Sequence, residues 1–429
     1  MQPRVSTQIF SGLGVCAEFL RVRAQTESLA APLSAEDQQI QAMPQASPVK
    51  WHRAHTTWFF ETFVLQPRGF APFNPQYGLL FNSYYEALGP RHSRPQRGLL
   101  SRPSVEEITA WRQHVDSLIV RVLGAADGLD ATLTNLVRLG LAHEEQHQEL
   151  MQTDLLAAFA CNPLLPCYLP APPDLLHRHR DTSAQLGWLA HSGGRVDIGA
   201  EAAVPFAFDN EGPRHSVWLE PFALANRLVT VGEWLAFARD GGYQSPALWL
   251  SEGLDWVRAN NINGPAYTRI EDDEVIVYGL HGMRKADADE PVLHISFYEA
   301  DALATWLQAR LPTEHEWEAV AAAQTNQGNN ASGSHHDVIP RSPHGADAGF
   351  FHQAWQWTRS SYAPYPGFQP AADALGEYNG KFMINQQVLR GSSVFTPAGH
   401  SRASYRNFWH PQTQFQATGL RLARDAKGR

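Results

Sequence analysis

The stretch LGLAHEEQHQELMQTDLL, Leu139–Leu156, sets His143 and His147 four residues apart. On a helix that spacing stacks two imidazoles on one face with their nitrogens converging. Leu136, Gly140, Leu150 and Met151 recur at the same helical period, so the face carrying the histidines turns into a core rather than to water. Gln146 lies on that face. An HxxxH pair of this kind is metal-ligand spacing, although a hydrogen-bonded core histidine beside an incidental one would give the same letters. HEEQH also fits HExxH, in which Glu144 would be the base of a zinc peptidase. That reading needs a third ligand downstream and an open cleft.

Working outward, the chain of 429 residues exceeds one ordinary core and implies two domains or more. With 34 basic and 43 acidic residues the net charge is −9, and no basic run suggests a nucleic-acid or anionic-membrane surface. Small-molecule chemistry is favoured. No apolar stretch reaches about 18 residues and the first residues lack a secretory pattern, so a cytoplasmic location is expected. Three cysteines, Cys16, Cys161 and Cys167, offer no disulfide framework.

The first 162 residues read as a four-helix bundle. A helix is expected over residues 7–30, weakened by Gly12 and Gly14. A second follows Ser47-Pro48, read as a cap and a first-turn proline, with Trp51, His55, Trp58 and Phe59 on one side. His55 therefore faces an aromatic stripe, and His52, one helical step away, is the competing candidate. The long connection after Pro67 is rich in Gly, Pro, Arg and aromatics, with Tyr84, Tyr85, Arg91 and Arg94 as its chemically useful members. Ser104 and Glu107 form a capping-box pattern opening a third helix, and the stretch quoted first is the fourth. Bundle cores are where facing helices assemble metal sites.

Residues 163–185 begin with a run of prolines and read as a linker. From 186 to 429 short strand-like runs alternate with turns, giving an α+β domain. Helices are expected at VTVGEWLAFAR after Thr230 and at FYEADALATWLQAR after Ser296, and TNQGNNASGSHH reads as a polar insertion.

In this order, SPVKWHRAHTTWFFETFVL, FNSYYEALGPRH, LAHEEQHQEL, DNEGPRHSVWLEPFALANRLVTVGEWLAF, PVLHISFYEADA, RLPTEHEWEAVA, VLRGSS and RASYRNFW with TGLRLARD resemble the ergothioneine-biosynthesis sulfoxide synthases. Those are non-haem iron enzymes joining a DinB-like bundle to a domain of the formylglycine-generating, C-type-lectin-like kind. The resemblance covers nearly the whole chain and extends to the branch that makes selenoneine. It implies that His55, His143 and His147 hold one Fe(II), with O2 as co-substrate, and that sulfur or selenium is joined to imidazole C2 of hercynine. Three imidazoles suit that ion and leave positions open.

The same resemblance implies roles residue by residue. Gln146 matches the glutamine that contacts the substrate imidazole. Asn407 and Phe408 match the pair that holds the trimethylammonium end, where an aromatic face is required because a quaternary ammonium has no N–H to donate. Tyr84 and Tyr85 match active-site tyrosines of one branch, and one of them is the expected proton donor. The tyrosine that another branch places in the second domain has no clear counterpart, PAADAL standing in that region. Arg91 and Arg94 are expected substrate contacts. Trp409 stands where donors of the γ-glutamylcysteine type meet an acidic residue, Gln356 stands where a glutamate is usual and Ser392 where a second glycine is expected, with Ser393 adding a second neutral hydroxyl. These positions are therefore the expected donor pocket, for a thiol or a seleno- or thiosugar. The second domain lacks the paired cysteines on which formylglycine generators depend, so its fold is reused rather than its chemistry. Two other classes compete: a zinc-dependent DinB-type thiol transferase, which needs no O2, and a non-catalytic ligand-binding protein.

Overall fold

The computed structural model describes residues 5–125, 130–171, 185–202, 204–325, 349–370 and 379–426. They divide into two compact units, one up to Pro163 and one built from Leu164–Pro370 and Asn379 onward. The first is helical and the second mixes helices with four small sheets, the expected α plus α+β pairing. PAADAL, with all but its first residue among 371–378, the polar insertion beyond Thr325 and most of the expected linker lie outside the described residues.

In the first unit the long helices are α1 (Val5–Ala30), α2 (Val49–Phe59), α4 (Val105–Gly124) and α5 (Ala131–Ala160), with a short α3 (Tyr77–Phe81) in the long connection. Helix α4 opens on the expected Ser104–Glu107 capping box, and its buried stripe runs Ile108, Trp111, Val115, Ile119 and Leu123. Leu118 and Val122, which share the helical period, are only partly buried.

Helix α2 departs further from expectation. Every residue from Val49 to Phe59 is buried, its polar side chains included, so no face of this helix meets water. It also runs on through a π-helical turn, Phe60–Leu65. Pro48 is extended and precedes the helix, and Ser47 does not cap it. The Ser47 amide instead donates to Asp154 of α5, and its hydroxyl accepts from Arg97. Gly140 lets α5 lie close against α2 and its π turn, since a Cβ there would sit 2.7–2.9 Å from the rings of Phe59 and Phe60.

The second unit contains β1 (Trp188–His191), β2 (Gly194–Ile198), β3 (His215–Leu219) and β4 (Phe222–Leu228), followed by α6 (Val231–Arg239) and α7 (Ser251–Asn260). After β5 (Thr268–Glu271), β6 (Glu274–Gly279) and β7 (Gly282–Lys285) come α8 (Phe297–Trp306) and α9 (Glu314–Thr325), then β8 (Trp355–Ser361), β9 (Gln387–Gly391), β10 (Asn407–Trp409), β11 (Thr418–Gly419) and β12 (Arg421–Asp425). Thr230 and Ser296 cap α6 and α8 through complete capping boxes. The sheet that carries the functional candidates has order β10-β9-β8-β11, with Phe408 opposite Val388. Leu164–Ala171, inside the stretch read as linker, is fastened to this unit: the Tyr168 amide donates to Leu280 O and the Tyr278 hydroxyl to Pro166 O. Among the described residues no helix is long and apolar enough to cross a membrane.

Candidate functional site

Helices α2 and α5 face each other, and the histidines meet where they do. His55 from α2 and His143 and His147 from α5 offer ligand nitrogens that all lie within 4.8 Å of one another. Their ring centroids are 4.6–4.9 Å apart. His55 and His143 are buried and His147 is partly so. Burial pushes all three pKa values down, His143 to about 3 and the other two well below the ordinary value. The imidazoles are thus neutral at physiological pH, the form that binds a metal.

Hydrogen bonding decides which nitrogen His55 presents. Its Nδ1–H donates to Phe81 O at 2.6 Å, which leaves the lone pair on Nε2. That Nε2 is buried with no hydrogen-bond partner among the described residues. A buried lone pair without a donor is costly unless something electrophilic occupies the site. The donor set, three neutral imidazoles with one such orphan, therefore fits a divalent transition metal. Trp51 and Trp58 stack on either side of the His55 ring at 4.6 and 5.5 Å, which fixes its plane.

His52 does not join the three. One turn nearer the start of α2, its Nδ1 meets Nδ1 of His147 at 2.7 Å and its Nε2 meets Asp154 Oδ2 at 3.1 Å. Burial lowers its pKa despite the Asp154 contact. Of the two candidates on α2, His55 lies in the cluster and His52 lies behind it.

Glu144, the base of the peptidase reading, faces the opposite way. It is fully buried against α1 and α4, paired with Arg23 at 2.8 Å and with Arg112, and Thr26 Oγ1 donates to it at 2.6 Å. Burial would raise its pKa, but Arg112 and Arg23 outweigh that and hold the carboxyl at about 2. A carboxylate so saturated cannot act as a base on a metal-bound water, and the HExxH reading fails on that ground.

Gln146 is half-buried on α5, one residue before His147. Tyr85 is fully buried, its ring 5.6 Å from Trp58, which itself stacks on His55, and 4.6 Å from the half-buried Tyr84. Arg91 and Arg94 are exposed: Arg91 forms an ion pair with Glu86, and Arg94 donates to Gln45 O. Sequence reasoning passed over Arg97, which is buried with its guanidinium 3.4 Å above the Trp51 ring. The RxxR spacing from Arg94 was the only signal for it.

In the second unit Phe408 stacks on Tyr362, rings 4.0 Å apart and nearly parallel. Asn407 turns its Oδ1 to the Phe408 amide, and Trp409 is half-buried edge-on to Phe415. Gln356, Ser392 and Ser393, expected as donor-pocket residues, are instead core residues. Gln356 is fully buried, accepting from Trp317 Nε1 and Arg421 Nε and donating to Phe350 O. Ser392 Oγ accepts the His352 amide and Ser393 Oγ the Phe395 amide, both serines fully buried. Neutral amide and hydroxyl groups here satisfy backbone and tryptophan donors rather than a ligand.

Comparison with known proteins places these observations in a family. Residues 18–151 match the DinB superfamily, and residues 179–351 match the sulfatase-modifying factor enzyme 1-like domain. A hercynine oxygenase from Mycolicibacterium thermoresistibile is 32% identical over 414 residues, covering 89% of this chain and 88% of that one. One from Mycobacterium tuberculosis is 32% identical over 413 residues, covering 89% and 92%. A formylglycine-generating enzyme from Thermomonospora curvata is 27% identical over 238 residues, 52% of this chain and 72% of that one.

Proposed function

The chain belongs to the family of hercynine oxygenases, and from that premise we propose that it is a non-haem Fe(II) enzyme joining sulfur or selenium to imidazole C2 of hercynine at the expense of O2. The observation that carries this reading is the neutral three-histidine cluster with the orphaned His55 Nε2. His55, His143 and His147 would hold the iron, which when bound supplies a centre able to bring both substrates and O2 together and pass electrons between them. For a thiol donor the balance is complete without a further reductant. The imidazole C2–H and the S–H are lost, the C–S bond forms, one oxygen atom goes to sulfur as sulfoxide and the other leaves as water.

The remaining roles belong to the protein's own side chains. Gln146 orients the substrate imidazole. Phe408, with Asn407 beside it and its ring stacked with Tyr362 at 4.0 Å and Phe382 at 6.1 Å, receives the trimethylammonium group. Tyr84 or Tyr85 delivers the proton to the developing oxygen anion, and the contact of Tyr85 with Trp58, next to His55, favours Tyr85. Trp409 presents an apolar, half-buried ring where a carboxylate would pair with a zwitterionic donor, which favours a seleno- or thiosugar over γ-glutamylcysteine. Arg91 and Arg94 remain candidates for donor carboxylates or hydroxyls.

The test is oxygen uptake by Fe(II)-loaded protein on adding hercynine with each donor in competition, with products identified by mass. Uptake coupled to a hercynine–sulfur or hercynine–selenium adduct is expected, the sugar outcompeting γ-glutamylcysteine. Adduct formation without O2, or with Zn(II) in place of iron, would overturn the reading in favour of a thiol transferase.

A further inference from the structure

Behind the histidine cluster lies a chain of polar contacts that metal ligation leaves unexplained. Asp154 Oδ2 accepts the Ser47 amide at 2.7 Å and contacts His52 Nε2 at 3.1 Å; His52 Nδ1 then contacts His147 Nδ1 at 2.7 Å. His52 and Asp154 are buried at 2% and 4% exposure. Arg97, which donates to Ser47 Oγ at 3.0 Å, ties the start of the chain to the long connection.

Proton accounting along this chain has one solution compatible with a metal. A carboxylate has no proton to give, so the hydrogen between His52 and Asp154 sits on His52 Nε2. A nitrogen–nitrogen contact of 2.7 Å needs one proton between the two atoms. Ligation by His147 needs the lone pair on its Nε2, so the proton of the Nδ1–Nδ1 contact belongs to His147 and His52 Nδ1 accepts it. Were His52 the other tautomer, or doubly protonated, His147 would accept at Nδ1 and carry its proton on Nε2, and it could not bind.

Resting on the metal reading above, we propose that His52 and Asp154 are positioning residues: a carboxylate–histidine relay that fixes the tautomer and ring plane of His147 so that Nε2 faces the metal. Outer partners of ligating histidines are worth 10- to 100-fold in metal affinity. The relay would use two imidazoles in series where one carboxylate or carbonyl ordinarily serves, as Phe81 O does for His55.

Zn(II) is the probe, being diamagnetic and stable in air, and the full chain is used. Chelator competition should show His52→Phe binding Zn(II) about 10- to 100-fold more weakly than wild type. His52→Asn places an amide oxygen near the former Nδ1 and should recover most of that loss. In wild-type Zn(II) protein labelled with 15N-histidine, long-range proton–nitrogen correlations should show His52 as the Nε2–H tautomer and His147 as Nδ1–H. The tautomer measurement stands even if His52→Phe fails to fold. Tight Zn(II) binding unchanged in His52→Phe, or a Nδ1–H tautomer at His52, overturns the relay alone. Failure of wild type to bind Zn(II) overturns the relay together with its premise.

Discussion

Glu144→Gln separates the structural role of this carboxylate from the catalytic one that its HExxH context suggests. The variant keeps the shape of the side chain and removes its charge, so Arg23 and Arg112 lose their shared partner and keep only Asp116 and Glu27 respectively. Holding the carboxyl at about 2 rather than its ordinary 4.5 corresponds to roughly 3 kcal/mol of folding stability. Removing one member of a buried pair independently costs about 3–5 kcal/mol. The two routes agree at the low end of that range: the guanidiniums stay ionised when buried, and Asp116 and Glu27 still face them. Since the folded pKa is the lower one, this contribution is present above pH 4.5 and is lost as pH falls towards 2. Urea unfolding followed by far-UV ellipticity, which the bundle dominates, should show the helical transition of Glu144→Gln at much lower denaturant at pH 7, the gap from wild type closing in acid. A variant of wild-type stability that has only lost activity would refute this reasoning and restore Glu144 as a candidate base.

Other substitutions address the site itself. His55→Ala, His143→Ala and His147→Ala should each lose stoichiometric Fe(II) in anaerobic metal analysis while the helical spectrum is retained; full iron content in any of them removes that residue from the ligand set. In the metal-free protein the histidines resist protonation that the unfolded chain accepts. Stability should therefore be full above about pH 6.5 and fall towards pH 3, by about 1.4 kcal/mol per pH unit for His143 alone, as read from melting curves. Phe408→Leu should weaken hercynine binding by an order of magnitude or more and leave histidine binding unchanged, given about 2 kcal/mol for a desolvated cation–π contact; equal losses for both ligands would discard the aromatic seat. Tyr85→Phe should slow turnover with little change in hercynine KM, and a larger effect of Tyr84→Phe would move the proton donor by one residue.

The sequence by itself determined the class of both units and most of the cluster. HxxxH on a helix puts two imidazoles together through backbone geometry alone, and capping boxes at Ser104, Thr230 and Ser296 are local hydrogen-bond patterns that need no tertiary context. Periodicity was weaker where burial is complete. Helix α2 has no solvent-exposed face, so a one-sided stripe could not rank His52 against His55, and its π turn left no mark in the residue pattern. Tertiary structure sets the two apart through partners remote in sequence: Phe81 O takes the Nδ1–H of His55, whereas Asp154 and His147 engage His52 on both nitrogens. It also turned Gln356, Ser392 and Ser393 from pocket candidates into core residues, because polarity in a sequence does not say whether a buried group meets a ligand or the protein's own backbone. Glu144 makes the same point with charge. Its place in HExxH comes from neighbours along the helix, but its role follows from Arg23 and Arg112, brought to it across the bundle by packing that no local pattern encodes.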